Sequence, residues 1–296
     1  MARPALAATR AIAVLDFLAA HPAEPFTLSD LATRLGINVA SAHAVLGVLT
    51  DAGYVVRHPR LRTYTLGPSV VALGSAALEH HAAIDLARDA ARKLSEDVEL
   101  EVAVTALAGD DIVFLARAGE QRARGIPMHV GQRVPLVPPL GSVFVAWAPD
   151  DIVAAWRARA PKAKGVDAAL AGTRARGYSV ALEVDARRSL ADTLDHLADA
   201  PGDPQLRGSV DDLVAELGAS EYQVSSLERG RRYDVSMIAA PVFDAAGDVA
   251  LALTLVGFEP ALPAEEIAAY GERLRDVGIV VTKRSHGRMP GVTVTA

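Results

Sequence analysis

The sequence predicts an α+β chain with an N-terminal winged helix-turn-helix, a linker helix and a larger C-terminal unit built on an antiparallel sheet. Three observations predict it. Two short, closely punctuated helical segments meet at Gly36. An Arg-bearing pair of strand runs follows them at once. Two later pairs of strand runs each flank a Gly/Asp turn, with helical stretches between them. A length of 296 residues, about half of them apolar, suits two cores.

The first helix is expected from Thr9 to Ala20 and ends before Pro22, because proline discourages continuation. In FTLSDLATRLG, Thr27 is a good N-cap and Asp30 completes a capping box in which Asp replaces the usual Glu. Phe26 and Leu31 are spaced as a hydrophobic staple, and Gly36 sits where a left-handed residue ends a helix. Asn38 caps the next helix, VASAHAVLGVLTD. Its Ala42, Val45, Leu46 and Leu49 share a core face, leaving Ala40, His43, Ala44 and Gly47 on the other. Two helices around a tight glycine turn form a helix-turn-helix, whose second helix enters the major groove of DNA. YVVRHPRLRTYTLG then reads as a hairpin carrying Arg57, Arg60 and Arg62.

Residues 68–95 are helical and alanine-rich, the expected linker. ELEVAVTALA and DIVFLARA flank a Gly109-Asp110-Asp111 turn, and DVSMIAAPVFD and VALALTLVGF flank a second turn at residues 245–248. Helices are expected at Val166–Arg176, Asp185–Leu197, Arg207–Glu228 and Pro263–Thr282. The boundaries are therefore a head at 1–67, a linker at 68–95, a body at 96–284 and a loose tail at 285–296.

Charge and composition narrow the function. Residues 1–75 hold six Arg, no Lys and four acids, a net +2, whereas the remainder carries −8. A mildly basic head on an acidic body suits a small DNA-binding module. The absence of cysteine excludes disulfides and thiolate metal sites and fits the cytoplasm. No apolar run reaches membrane-spanning length, and Asp16 interrupts the one stretch that resembles a signal peptide, so no membrane partner is expected. The eight His show no metal-ligand spacing, and neither metal nor cofactor is expected. Nucleotide fingerprints, nucleophile elbows and zinc-protease motifs are missing, so no catalytic residue is assigned and an enzyme is the weaker reading.

RAIAVLDFLAAHP, FTLSDLATRLGI and AGYVVRHPRLRTYTLGPSVVALG resemble the DNA-binding half of the isocitrate-lyase-regulator (IclR) family. DIVFLARAGEQRARGIPMHVGQRVPL, LGSVFVAW, RARGYSV and IAAPVFDAAGDVALALTLVGF follow in the family's order, so the resemblance spans residues 9–284. It implies a GAF-like effector domain, a homodimer or homotetramer, a small-molecule effector and a palindromic double-stranded DNA operator.

The chain departs from the family pattern in two places. The recognition helix lacks a Lys and an Arg: Asn38, Val39, Ala40, Ser41, His43 and Ala44 stand at the matching positions. Arg34, Arg57, Arg60 and Arg62 are the remaining candidates for DNA contact, since phosphate contacts supply much of DNA affinity. The effector loop has Pro138-Pro139 in place of a Thr-Ala pair. The candidate effector residues are Met128, Pro139, Leu140, Gly141, Ser142, Val235, Met237, Thr254 and Val256. Their apolar character predicts a mainly apolar ligand with one polar group held by Ser142 or Thr254. The alternative is a sensing or interaction protein whose helix-turn-helix has degenerated.

Overall fold

The computed structural model describes residues 5–120 and 128–290. The head comprises α1 (Leu6–Ala20), β1 (Phe26–Thr27), α2 (Leu28–Arg34), α3 (Val39–Asp51), β2 (Val55–Arg57) and β3 (Thr63–Leu66). The capping box is formed: Thr27 Oγ1 accepts from the Asp30 amide at 3.2 Å, and the Asp30 carboxylate accepts from the Thr27 amide at 2.9 Å. The Thr27 hydroxyl also donates to the Asp30 carboxylate at 2.7 Å, and this bond, with the one from the Thr27 amide, holds the Asp30 carboxyl below the usual carboxylate range. Asn38 Oδ1 accepts from the Ser41 amide at 2.8 Å and starts α3. Between the two helices the chain bends by 115°, with Gly36 at φ 64°. Val14, Phe17, Leu31, Leu46 and Tyr64 form the head's core.

Phe26 and Thr27 add a strand that sequence pattern misses, because two residues show no periodicity. They pair with Tyr64 and Thr63, giving a three-stranded wing sheet in the order β1-β3-β2. His58 Nδ1 organises the wing tip by accepting from the Arg60 and Leu61 amides at 3.3 and 3.0 Å.

The linker is two helices, α4 (Pro68–His80) and α5 (Ala82–Val98). The body then runs through β4 (Glu101–Ala108), β5 (Asp111–Ala118), β6 (Arg133–Pro135), α6 (Ser142–Val145), α7 (Asp150–Ala158), α8 (Val166–Arg176) and β7 (Ser179–Leu182). It continues with α9 (Asp185–Asp199), α10 (Pro204–Ala219), β8 (Arg232–Tyr233), β9 (Val235–Phe243), β10 (Val249–Val256), β11 (Leu262–Pro263) and α11 (Ala264–Arg284). Its main sheet is antiparallel throughout, in the order β6-β5-β4-β10-β9-β7. The alternation of strand side chains gives that sheet two apolar faces. Val102, Val104, Ile238, Ala240, Leu253 and Leu255 face α5 and α11 and bury the larger core. Ala103, Thr105, Met237, Ala239, Ala252 and Thr254 lie on the opposite face, toward α6 and α9.

The structure corrects two expectations. The helix expected to reach Glu228 ends at Ala219, because the following residues bond to β7: Leu182 donates to Tyr222 O at 2.8 Å and Val224 donates to Val180 O at 3.0 Å. Ser179–Leu182, to which the sequence reading gives no element, is accordingly a strand. The expected tail begins packed rather than loose: the Gly287 and Arg288 amides donate to Thr282 O and Asp244 O, each at 2.8 Å. Residues 291–296 of that tail lie outside the described residues.

Candidate functional site

The exposed face of α3 carries Val39, Ala40, His43, Ala44 and Gly47, while Ala42, Leu46 and Leu49 are buried. This face is small and apolar apart from His43. The polar groups of its first turn are engaged within the chain: Asn38 caps the helix, and Ser41 Oγ accepts from Arg10 Nη1 at 3.1 Å. Arg10 thus stands at the N-terminal end of the recognition helix. Sequence spacing misses it because the contact spans 31 residues. Arg57, Arg60 and Arg62 are exposed on the wing, with Arg57 stacked on Tyr64.

Arg34 departs from the expected role. Its guanidinium lies over the Phe26 ring, 5.4 Å from the centroid, and Nη1 donates to Asp199 O at 3.0 Å. It faces the chain's own body because Gly202 brings the α9–α10 loop against the helix-turn-helix. The Gly202 amide donates to Arg34 O at 2.9 Å, and a β-carbon at Gly202 would lie 2.4 Å from the Gly36 nitrogen.

Beneath α9 lies a cavity of about 130 Å³. That is close to the ~150 Å³ apolar void known to accept benzene. Seven of the nine candidate effector residues line it: Met128, Leu140, Gly141, Ser142, Met237, Thr254 and Val256. Gly141, at φ 78°, turns the loop so that α6 can cover the cavity, and a β-carbon there would meet Leu136 at 2.3 Å.

Val235 and Pro139 lie elsewhere. Strict alternation places Val235 with Met237, but the β7–β9 register shifts between Ala181 and Leu182, and Val235 enters the core on the opposite face. Pro139 lies outside this cavity, beside Trp156 and Lys164, and its carbonyl accepts from Ser142 Oγ at 3.0 Å and Gln223 Nε2 at 3.3 Å.

The remaining wall comes from α9 and the segment after α10, which sequence reasoning does not assign to the site. Leu190, Ala191 and Leu194 supply apolar surface, and Arg187, Tyr222 and Gln223 supply polar groups. A signal for Arg187 is present in the sequence: it precedes Leu190 by three residues and Leu194 by seven, which places it on the apolar face of its helix. Arg187 is only 6 % exposed, and its Nη1 lies 3.2 Å from Glu183 Oε2. Glu183 is shared, since Arg188 Nε donates to it at 2.9 Å. Burial pushes the Tyr222 hydroxyl up to about 12, opposed by the Arg187 charge, so it is a neutral phenol at neutral pH.

Residues 7–59 match the family model described as the IclR helix-turn-helix domain. The HTH-type transcriptional regulator BhcR of Paracoccus denitrificans is 26 % identical over 252 residues, 84 % of this chain and 76 % of that protein. An IclR transcriptional regulator from Alicyclobacillus acidocaldarius superposes with a TM-score of 0.64 at 19 % identity, covering 96 % of this chain and all of that one. An IclR homologue from Microbacterium hydrocarbonoxydans, solved with 4-hydroxybenzoate, superposes at 0.59 with 18 % identity, covering 94 % and 98 % of the two chains. The two structural likenesses are likenesses of fold. The matched head model covers residues 7–59, and over most of its length the chain is similar to helix-turn-helix transcription regulators of the IclR family.

Proposed function

We propose that this chain controls transcription in the cytoplasm by binding a double-stranded, palindromic operator as a homo-oligomer, and that a small, mainly apolar metabolite bound beneath α9 modulates that binding. The observation that carries this reading is the position of α9. One face of the helix lines the cavity through Leu190, Ala191 and Leu194, and its C-terminal end is bonded to the helix-turn-helix through Asp199. A ligand that displaces α9 therefore acts on the element that presents α3 to DNA. Docking into the groove rests on α3 from Val39 to Asp51, flanked by Arg10 and the wing residues Arg57, Arg60 and Arg62.

The cavity volume favours a single-ring compound over a lipid chain. The Microbacterium homologue's 4-hydroxybenzoate supports an aromatic effector. A binding rather than catalytic role is supported by Ser142, whose buried hydroxyl is engaged with the Pro139 carbonyl. The α4 helix supports assembly: none of its residues is buried within the chain, and Val71 and Leu73 are 70 % and 55 % exposed.

Selection of genomic fragments by the full-length protein, followed by anisotropy titration with and without benzoate-class compounds, tests the reading. The expected result is salt-sensitive binding to a two-fold symmetric site, altered by ligand. Sequence-independent binding that no ligand changes would overturn it.

A further inference from the structure

The cavity beneath α9 is apolar over most of its wall, yet two polar atoms on that wall lack partners. Arg187 Nη2 and Gln223 Oε1 are both buried with no hydrogen bond. Buried polar atoms in native proteins are almost always satisfied, and a charged donor left without a partner is the costlier kind. Three further polar side chains around the space are engaged within the chain. Ser142 Oγ donates to Pro139 O, Ser179 Oγ to Ala239 O and Gln132 Oε1 accepts from the His129 amide. Among the described residues Arg187 is paired with one carboxylate, Glu183, which Arg188 holds as well, and Arg188 is paired in turn with Asp185 at 3.2 Å. The four charges of that network sum to zero, and what stands at this end of a cavity the size of a single ring is a buried guanidinium donor, Nη2, without a hydrogen-bond partner.

We infer that Arg187 is the anchor for the carboxylate of a monocyclic, hydroxyl-bearing carboxylic acid, with Gln223 Oε1 accepting the ligand's hydroxyl proton. This rests on the reading of the cavity as the effector site, and it names the ligand class for that site. The acid's ring contacts Met237, Leu190 and Leu194, and one carboxylate oxygen accepts from Arg187 Nη2 in a charge-assisted bond. Gln223 keeps its orientation because its Nε2 donates to Pro139 O at 3.3 Å, leaving Oε1 as an acceptor only. The anchor thus lies on α9, across the cavity from the Pro139–Ser142 loop to which the sequence points. It also ties ligand charge to the helix that reaches the head. A neutral ring fills the same space but leaves Arg187 Nη2 unsatisfied.

Calorimetry on the full-length protein separates these cases, with 4-hydroxybenzoate and 3-hydroxybenzoate as acids and benzyl alcohol as a neutral probe of similar size. At least one acid is expected to bind about tenfold or more tightly than benzyl alcohol. Arg187→Met is expected to erase that preference, and Arg187→Lys to restore part of it. Gln223→Leu should weaken the hydroxybenzoate relative to benzoate. If benzyl alcohol matches the acids in the wild type, the Arg187 assignment fails while the cavity reading stands. That comparison needs no variant, so a misfolded Arg187→Met protein does not rescue the inference. If no probe of either class binds, the cavity reading fails and the inference falls with it.

Discussion

His21 Nε2 lies 2.9 Å from Asp199 Oδ1, joining the end of the head's first helix to the last residue of α9. The same aspartate accepts Arg34 Nη1 at its carbonyl, and the Gly202 amide returns a bond to Arg34 O. Leu194, on the cavity wall, precedes Asp199 by five residues, a rise of about 7.5 Å along the helix. Under the proposed function, a shift of α9 is expected to reach the end of α1 through the His21 bond and the α2–α3 turn through the two Arg34 bonds.

These contacts predict an uncoupled variant. Asp199→Ala removes the bond to His21 and an exposed ion pair with Arg34 worth at most about 1 kcal/mol, but keeps the Arg34 bond to the backbone carbonyl, so global stability should hardly change. Gly202→Ala forces the loop away from Gly36 with no change of charge. In Gly202→Ala the ratio of operator affinity with and without effector should approach one while DNA binding persists, and in Asp199→Ala, which keeps the Arg34 bond to the backbone carbonyl, it should move part of the way. Anisotropy titrations at fixed salt measure it, and an unchanged ratio would rule out this route of communication.

The wing should contribute affinity without sequence preference. Arg60 and Arg62 are exposed at the tip, and Arg57 lies on the flanking strand. Replacing Arg60 and Arg62 with Ala should weaken binding to every sequence and reduce the salt slope by about one unit per lost phosphate contact. A slope unchanged from 50 to 200 mM salt (a range in which phosphate contacts typically dominate) would mean that the wing does not touch the backbone.

How far the sequence revealed these features depended on whether a feature is local. Thr27, Asp30, Gly36 and Asn38 mark the helix-turn-helix because capping acts over three or four residues. The family resemblance pointed to Met237, Thr254 and Val256, which β9 and β10 bring to one cavity, and also to Val235, which a bulge turns to the opposite face. Arg34 was read as free for DNA because its partner, Asp199, lies 165 residues away. Arg187 carried a local signal, a charge among the apolar positions of α9, but the empty space it faces is made by β9, β10 and the loop after α10. Such a juxtaposition has no trace in spacing.

Ser142 distinguishes the two placements of the ligand's polar group, at the loop or at α9. Its hydroxyl donates to Pro139 O, so Ser142→Ala should leave ligand affinity within about twofold while costing about 1 kcal/mol of stability. Met237→Asp places a carboxylate against the apolar wall and should abolish ligand binding. Strong loss of affinity in Ser142→Ala would move the ligand's polar group back to the loop.

Glu101 and Arg117 make stability depend on pH. Glu101 is fully buried, with Arg117 Nε 3.1 Å from Oε1, although neither carboxylate oxygen has hydrogen-bond geometry to a partner. Burial pushes the Glu101 carboxyl up, and Arg117 only partly opposes it. An acid raised in the folded state stabilises the fold below its unfolded value and loses that contribution as pH rises through the folded value. Glu101→Gln should therefore flatten the stability profile above about pH 4.5. Arg117→Leu leaves the buried carboxylate alone and should cost about 3 kcal/mol at neutral pH, less in acid. Thermal melts from pH 4 to 8 read both effects, and parallel profiles for wild type and Glu101→Gln would remove Glu101 from the account.

The α4 helix predicts the oligomer. In PSVVALGSAALEH the only side chain of definite charge at neutral pH is Glu79, and no residue of the helix is buried in the chain. A helix apolar around its whole circumference is stable in water only when something covers it. A second copy of this chain is the simplest cover, because recognition by an α3 surface with so few donors needs two heads on paired half-sites. Val71 and Leu73 point to well-separated directions of the helix, about 160° apart, so contact is expected on more than one side. Val71→Glu with Leu73→Glu should therefore yield a monomer at micromolar concentration by light scattering. Operator affinity should fall by the avidity factor, about 100-fold or more, while each head remains folded. A double variant that stays dimeric would place the interface elsewhere, and a monomeric wild type would contradict assembly through this helix altogether.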